Sequence, residues 1–207
     1  MSLSSPPEGP RAVTDADFPA DGPVHDQLAA MLLWAVHAPS VLNTQPWRFR
    51  VVGGSDPRVE VSVDRARVLQ TVDPDGREAV ISCGAALFTL RLAARHYDYA
   101  DRVEYAGSGI GLEDGLVATF RLAGPAPATR HEEALFRAIK LRHTNRDPFA
   151  DLGVPLGLLA RLVSPLDHRV RPRRRGRAKP PPRQLDTSRP RGRWLVLEVA
   201  STLEGGA

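Results

Sequence analysis

The stretch Ala38-Pro39-Ser40-Val41-Leu42-Asn43-Thr44-Gln45-Pro46-Trp47-Arg48-Phe49-Arg50-Val51 decides how this chain is read. Its first part is a polar loop bracketed by two prolines; its second part alternates apolar and basic residues from Trp47 to Val51. Upstream, Val24, Leu28, Met31, Leu32, Ala35 and Val36 recur at helical spacing and predict a helix over about 24–36 with one buried stripe. Pro39 ends it, because the residue before a proline is pushed out of the helical region. Downstream, Trp47–Val51 and Val59–Asp64 follow the period-two pattern of half-exposed strands. Between them Gly53-Gly54-Ser55-Asp56-Pro57 supplies turn residues, so the pair predicts a hairpin.

Farther out, Asp73-Pro74-Asp75-Gly76 predicts a turn, followed by a long, largely buried helix over about 78–96. Small residues Cys83, Gly84, Ala85 and Ala86 near its start would let a backbone or a planar ligand approach. Strands are expected at Arg102–Tyr105 and Leu116–Leu122. A third helix should begin near Thr129, where Thr129 and Glu132 have the spacing of a capping box. Leu135, Phe136 and Ile139 form its apolar stripe. Interleaved helices and strands predict a layered α/β or α+β domain.

Two constellations carry chemistry. Ser40, Asn43 and Gln45 would present a hydroxyl and two carboxamides beside an aromatic strand, which suits a planar ring with hydrogen-bonding edges. The same composition also serves plain helix-to-strand connectors in which Ser40 and Asn43 cap backbone groups. In Arg142-His143-Thr144-Asn145-Arg146, two guanidiniums flank a hydroxyl, a good grip for a phosphate. A basic helix end that complements the helix dipole has the same look.

APSVLNTQPWRF resembles the first flavin-binding loop of the nitroreductase superfamily, and LRHTNRDPF resembles its Arg-x-Ser/Thr-x-Arg phosphate motif. DPDGREAVISCGAALFTLRLAARHY is similar to the Acg-type branch, in which two nitroreductase-like halves share one chain. The resemblance spans about residues 22–163, with three separated motifs in the family's order. It implies an α+β fold: a nitroreductase-like three-layer α/β/α domain over 23–163, with the first half essentially intact and the second largely missing. It also implies FMN, held by Ser40, Asn43 and Gln45 from one half and by Arg142, Thr144 and Arg146 from the start of the other. In the family that site forms at a homodimer interface or between fused halves. The resemblance further implies NAD(P)H as the electron donor and a nitro-aromatic or quinone-type small molecule as the acceptor. No side chain stands out as a catalytic acid or base, in keeping with chemistry performed by the flavin.

Charge is unevenly placed. Residues 165–193 hold eleven Arg/Lys against two Asp/Glu, whereas residues 1–164 are mildly acidic. That Pro/Arg-rich tract, 164–193, is expected to be disordered, since it has too few apolar residues to build a core. It would bind nucleic acid only non-specifically, because no aromatic interleaves its arginines. A shift of reading frame near Val163–Pro165 would account for it. Residues 1–22, rich in Pro, Ser, Gly and Asp, are expected to form a flexible leader, and 194–207 is a short tail of unassigned structure.

The sequence shows no signal peptide, no apolar run approaching the ~18–20 residues of a membrane span, and no Cys/His cluster at metal-ligand spacing. A cytoplasmic protein is the expectation. Cys83 is expected in the core, and His37 and His96 in structural or solvated places. Gly107-Ser108-Gly109-Ile110-Gly111 does not match the dinucleotide fingerprint. Beside the oxidoreductase reading stand a flavin-sequestering protein without turnover and a truncated remnant without bound flavin.

Overall fold

The computed structural model describes residues 14–106, 115–148, 150–163 and 197–200. The glycine-rich 107–111 stretch and the Pro/Arg tract 164–193 lie outside them. The chain divides into two units, the first made of Met1–His143 and Asp186–Ala207 and the second of Thr144–Leu185.

In the first unit the order is α1 (Val24–Ala35), β1 (Trp47–Val52), β2 (Arg58–Val63), α2 (Arg77–His96), β3 (Tyr99–Tyr105), β4 (Leu116–Pro125), α3 (Arg130–Leu141) and, later in the chain, β5 (Leu197–Ala200). The sheet runs β3-β4-β2-β1-β5. Its first four strands pair antiparallel, and β5 lies parallel to β1. This mixed arrangement agrees with the α+β expectation.

Period-two patterning sets the faces. Trp47, Phe49 and Val51 of β1 are buried while Arg48 and Arg50 are exposed. The register pairs Phe49 with Val61 and Val51 with Val59, and β2 in turn pairs Val59 with Phe120 of β4. One sheet face therefore carries Phe49, Val59, Val61, Ala118 and Phe120, all at most 1% exposed. A slip by one residue would turn that whole set outward. The other face carries ion pairs: Arg50 to Glu60 at 3.2 Å, Arg58 to Glu60 at 3.0 Å and Arg121 to Asp56 at 2.9 Å. Arg121, then Arg58, holds the Asp56 carboxyl below its ordinary range. The hairpin closes where Gly54 takes φ +80°, a conformation that costs a residue with a Cβ.

α1 and α2 cover the apolar face. Leu28, Met31, Leu32 and Ala35 of α1 are fully buried, as their helical spacing predicts. α2 contributes Cys83, Ala86, Leu87, Leu90 and Ala93 to the same core. α3 packs on α2 through an aromatic cluster. The Trp34 ring lies 4.4 Å from that of Phe136, His96 stacks on Phe136 at 3.8 Å, and the Trp34 indole N–H donates to the Tyr97 hydroxyl at 3.1 Å. The capping box is formed: the Thr129 hydroxyl accepts from the Glu132 amide, and the Glu132 carboxylate accepts from the Thr129 amide at 2.8 Å.

Residues 14–22, read from sequence with the flexible leader, are held against this body. Phe18 stacks on Tyr97 at 3.7 Å, and the buried Gln27 amide donates to the Ala20 carbonyl at 2.8 Å. β3 begins at Tyr99, earlier than the pattern predicts, because a register irregularity between Tyr99 and Asp101 breaks the alternation there. Among the described residues the second unit holds one helix, α4 (Leu156–Val163), preceded by Pro155, a residue suited to a helix start; periodicity did not anticipate this helix.

Two outcomes follow from this packing. Phe49→Ala should lower the unfolding free energy by about 3–5 kcal/mol in denaturant titration; a loss below about 1 kcal/mol would contradict the core placement of Phe49. The second concerns Glu133, whose carboxyl the His96 ring, bonded to it at 3.0 Å, holds below the ordinary value of 4.5, with Arg137 assisting. A depressed folded-state pKa stabilises the fold above the unfolded value and loses that contribution as pH falls through the folded value. Stability should therefore decline on the acid side of 4.5, and Glu133→Gln should flatten that decline in unfolding curves taken from pH 6 to about pH 3.

Candidate functional site

α1 stops before Pro39, β1 starts at Trp47, and the chain between them must turn back onto the sheet. It does so with unusual backbone: Leu42, Asn43 and Gln45 take φ of 45°, 57° and 49°. None is glycine, and each such residue in the left-handed region costs about 1–3 kcal/mol unless its surroundings enforce it. Asn tolerates this region better than most residues; Leu and Gln do not.

The enforcing contacts lie at both ends of the loop. At its entrance, the Val41 amide approaches the Ser82 hydroxyl of α2 at 3.4 Å. Inside it, the Ser40 hydroxyl accepts from the Gln45 amide at 2.9 Å, and Thr44 donates its hydroxyl to the Val41 carbonyl at 2.9 Å. At its exit, Arg67 donates to the Gln45 carbonyl at 3.1 Å, and the Asp64 amide donates to the next carbonyl, that of Pro46, at 2.8 Å. The Cys83 thiol sits against the same Pro46 carbonyl at 3.7 Å.

The local bonds thus use the Ser40 hydroxyl as a cap, as the connector reading requires. They engage the backbones of Asn43 and Gln45, whereas the carboxamides of these residues take part in none of them. Asn43 is exposed, Ser40 and Gln45 are half-buried, and Trp47, which starts β1, is buried. The loop therefore offers two carboxamides, each with donors and an acceptor, on a braced backbone. Asp64, Arg67 and Ser82, which do the bracing, carry no sequence signal: they lie 18, 22 and 41 residues from their partners in the loop, and only the fold brings them there.

The phosphate-motif residues are all exposed. Arg142 ends α3, its amide bonded to the Ala138 carbonyl at 2.9 Å. Thr144 and Arg146 belong to the second unit, where the Asn145 side chain accepts from the Asp147 amide at 2.9 Å and so shapes the turn around Arg146. The structure gathers Ser40, Asn43 and Gln45 on one loop, and the three motif residues straddle the two units.

A cleft of about 560 Å³ lies elsewhere in the first unit, lined by Val63, Arg65, Val68, Gln70, Gly76 and Val117 among others. No residue of the 40–45 loop is among those lining it, while Arg65 belongs to the turn that holds the loop's exit. Among the described residues, no group of three or more His, Cys, Asp or Glu could hold a metal ion, and no helix is long and apolar enough to cross a membrane.

No family model matches the chain. Individual proteins do. "Putative NAD(P)H nitroreductase Rv3131" of Mycobacterium tuberculosis is 32% identical over 167 residues, covering 74% of this chain and 44% of that protein. "Putative NAD(P)H nitroreductase acg" of the same organism is 33% identical over 127 residues, covering 61% of this chain and 37% of that protein. "Uncharacterized protein Rv3127" is 36% identical over 121 residues, or 57% of this chain and 34% of its own.

This chain belongs to the nitroreductase superfamily. It spans less than half the length of the curated relatives it matches. Within this nitroreductase-family chain His96 is structural, bonded to Glu133 at 3.0 Å and to Asp15 at 3.3 Å while stacked on Phe136. His37 is exposed at the end of α1. Cys83 is fully buried, and burial pushes its thiol up to about 12. A thiol so placed is almost wholly protonated and shielded. Folded protein should therefore resist a maleimide or disulfide reagent at pH 8 and react fully after denaturation; rapid labelling of the native chain would show the thiol to be accessible.

Proposed function

We propose that this chain binds FMN through the Ser40–Gln45 loop and serves an NAD(P)H-dependent oxidoreductase that delivers electrons to a nitro-aromatic or quinone-type acceptor. The observation that carries the reading is the braced loop whose Asn43 and Gln45 carboxamides stand outside its own bonding network. The donor set fits the cofactor. The pyrimidine edge of a flavin alternates donors and acceptors, and carboxamides can meet both, while guanidinium groups with a hydroxyl match a phosphate.

In this reading Asn43 and Gln45 orient the ring edge, and the buried Trp47 beside them supplies an apolar wall. Arg142 and Arg146 neutralise the phosphate, and the Thr144 hydroxyl donates a hydrogen bond to it. Bound FMN supplies the relay of two electrons between nicotinamide and acceptor. The residues of this chain bind and position, and none is assigned as proton donor or acceptor. The three-layer α/β/α arrangement, and a second nitroreductase-like half or second copy of the chain that completes the site, belong to the same proposal. The names of the relatives support the NAD(P)H-dependent class.

Titrating FMN into the purified chain and following quenching of flavin fluorescence tests this. Saturable binding is expected. Asn43→Ala together with Gln45→Ala removes two hydrogen bonds at about 0.5–1.5 kcal/mol each, which should weaken binding roughly tenfold or more. Arg142→Ala with Arg146→Ala should weaken FMN more than riboflavin, which lacks the phosphate. Bleaching of the bound flavin by NADH or NADPH, with recovery on adding a quinone, is the sign of turnover. Absence of FMN binding at concentrations up to about 100 µM, where ΔG° is only about −5.5 kcal/mol, would overturn the reading.

A further inference from the structure

The loop of residues 40–46 is held in a backbone that its own sequence does not favour. Leu42, Asn43 and Gln45 all have positive φ, and the bonds internal to the loop are short-range turns from residues 40 and 41 to residues 43, 44 and 45. Such turns close the loop; they do not tie it to the sheet. At the entrance the Ser82 hydroxyl of α2 meets the Val41 amide, and at the exit the ties come from the turn Asp64–Arg67 that follows β2. There the Asp64 amide takes the Pro46 carbonyl at 2.8 Å, and the Arg67 guanidinium takes the Gln45 carbonyl at 3.1 Å. Two successive carbonyls at the loop exit are thus held by two residues three apart.

Arg67 is itself fixed. Its Nε lies 3.2 Å from the Asp64 carboxylate, and that carboxylate also accepts from the Ala66 amide at 3.1 Å, which shapes the turn. The side chains of both partners are largely buried, at 18% and 10% exposed. A planar guanidinium can meet the carboxylate with Nε and the carbonyl with an Nη at the same time, which a lysine ammonium on a flexible stem does less well. The Gln45 carbonyl that Arg67 holds belongs to the residue whose left-handed φ sets the direction of its carboxamide.

We propose that Arg67 is a positioning residue for the flavin loop: the Asp64–Arg67–Gln45 relay fixes residues 42–45 in the conformation that presents the Asn43 and Gln45 carboxamides. The inference rests on the flavin-binding reading for its purpose, but the bracing itself is a property of the protein without ligand. Arg67 touches the loop backbone and acts through it. Strained backbone persists at binding loops when surrounding structure over-determines it, and this relay is the side-chain part of that constraint at the loop's exit.

Hydrogen exchange and FMN affinity, measured on the full chain with Arg67→Met and Arg67→Lys, separate the possibilities. In the ligand-free Arg67→Met protein, the Asn43, Thr44 and Gln45 amides should exchange roughly tenfold faster, a loss of about 1.4 kcal/mol of local protection. The Phe49, Val51 and Val61 amides of the hairpin should keep their protection. FMN affinity should fall by a similar factor, and Arg67→Lys should recover part of both. Unchanged loop exchange in Arg67→Met overturns the proposal, as does loosened exchange with undiminished FMN affinity. Uniform loss of protection across β1 and β2 would mark Arg67 as a residue of the fold at large, and would overturn it too; should Arg67→Met fail to fold, Arg67→Lys decides by the same comparison. A wild-type chain that does not bind FMN, with a loop that Arg67→Met loosens, removes the flavin reading and leaves the brace standing.

Discussion

The burial of α2 is the constraint on which the rest of the structure depends. Twenty residues long, it packs on α1 and α3, touches all four strands from β1 to β4, and meets the 40–46 loop. Its inward face is built of small and medium residues, Cys83, Ala86, Leu90 and Ala93, so the helix lies close to the sheet. Close-packed interiors transmit position. Phe49, Val61 and Phe120 set the level of the sheet against which α2 rests, and the loop rests in turn on the first half of α2 through Ser82 and Cys83. The asymmetry of the helix follows from this: its first half supports the loop, and its last turn, through Arg95 and His96, carries α3.

The loop shows how a fold turns an unfavourable local conformation into a usable one. Three side-chain-bearing residues in the left-handed region would relax in an isolated peptide. Here the hydroxyl of Ser82 meets the entrance, and the turn after β2 clamps two carbonyls at the exit. The polar groups spent on bracing are backbone groups, the hydroxyls of Ser40, Thr44 and Ser82, and the Arg67 guanidinium. The carboxamides are spared. Of the connector reading, the Ser40 cap is formed, through the Gln45 amide, while the Asn43 and Gln45 carboxamides stay outside the internal bonds.

Much of the fold was legible because it rests on periodicity. The alternation from Trp47 to Val51, the helical stripes of α1 and α2 and the Thr129–Glu132 box each act within a few residues, and each appears where its pattern places it. The misses share a cause. Residues 14–22 read as leader because Phe18 and the carbonyl of Ala20 acquire partners only from Tyr97 and Gln27. β3 starts early because a register irregularity interrupts its pattern. In the candidate site the motif residues were readable as a string, while their supports were not, since Asp64, Arg67 and Ser82 are ordinary residues until chain reversal sets them against the loop.

What the sequence determined by itself is the set of short-range commitments: where helices and strands begin, which faces are apolar, and the three motifs that mark a nitroreductase-family chain. Those commitments depend on dihedral preference and side-chain spacing, which act over a few residues. What only the tertiary structure decided is the role of groups whose partners are distant in sequence. The Gln45 carbonyl goes to Arg67, His96 is held between Asp15 and Glu133, and Cys83 is sealed in the core. A hydrogen bond or ion pair across the fold needs two residues at a fixed separation in space, and burial, which sets its strength, is a property of the whole packed body and of no single stretch of chain.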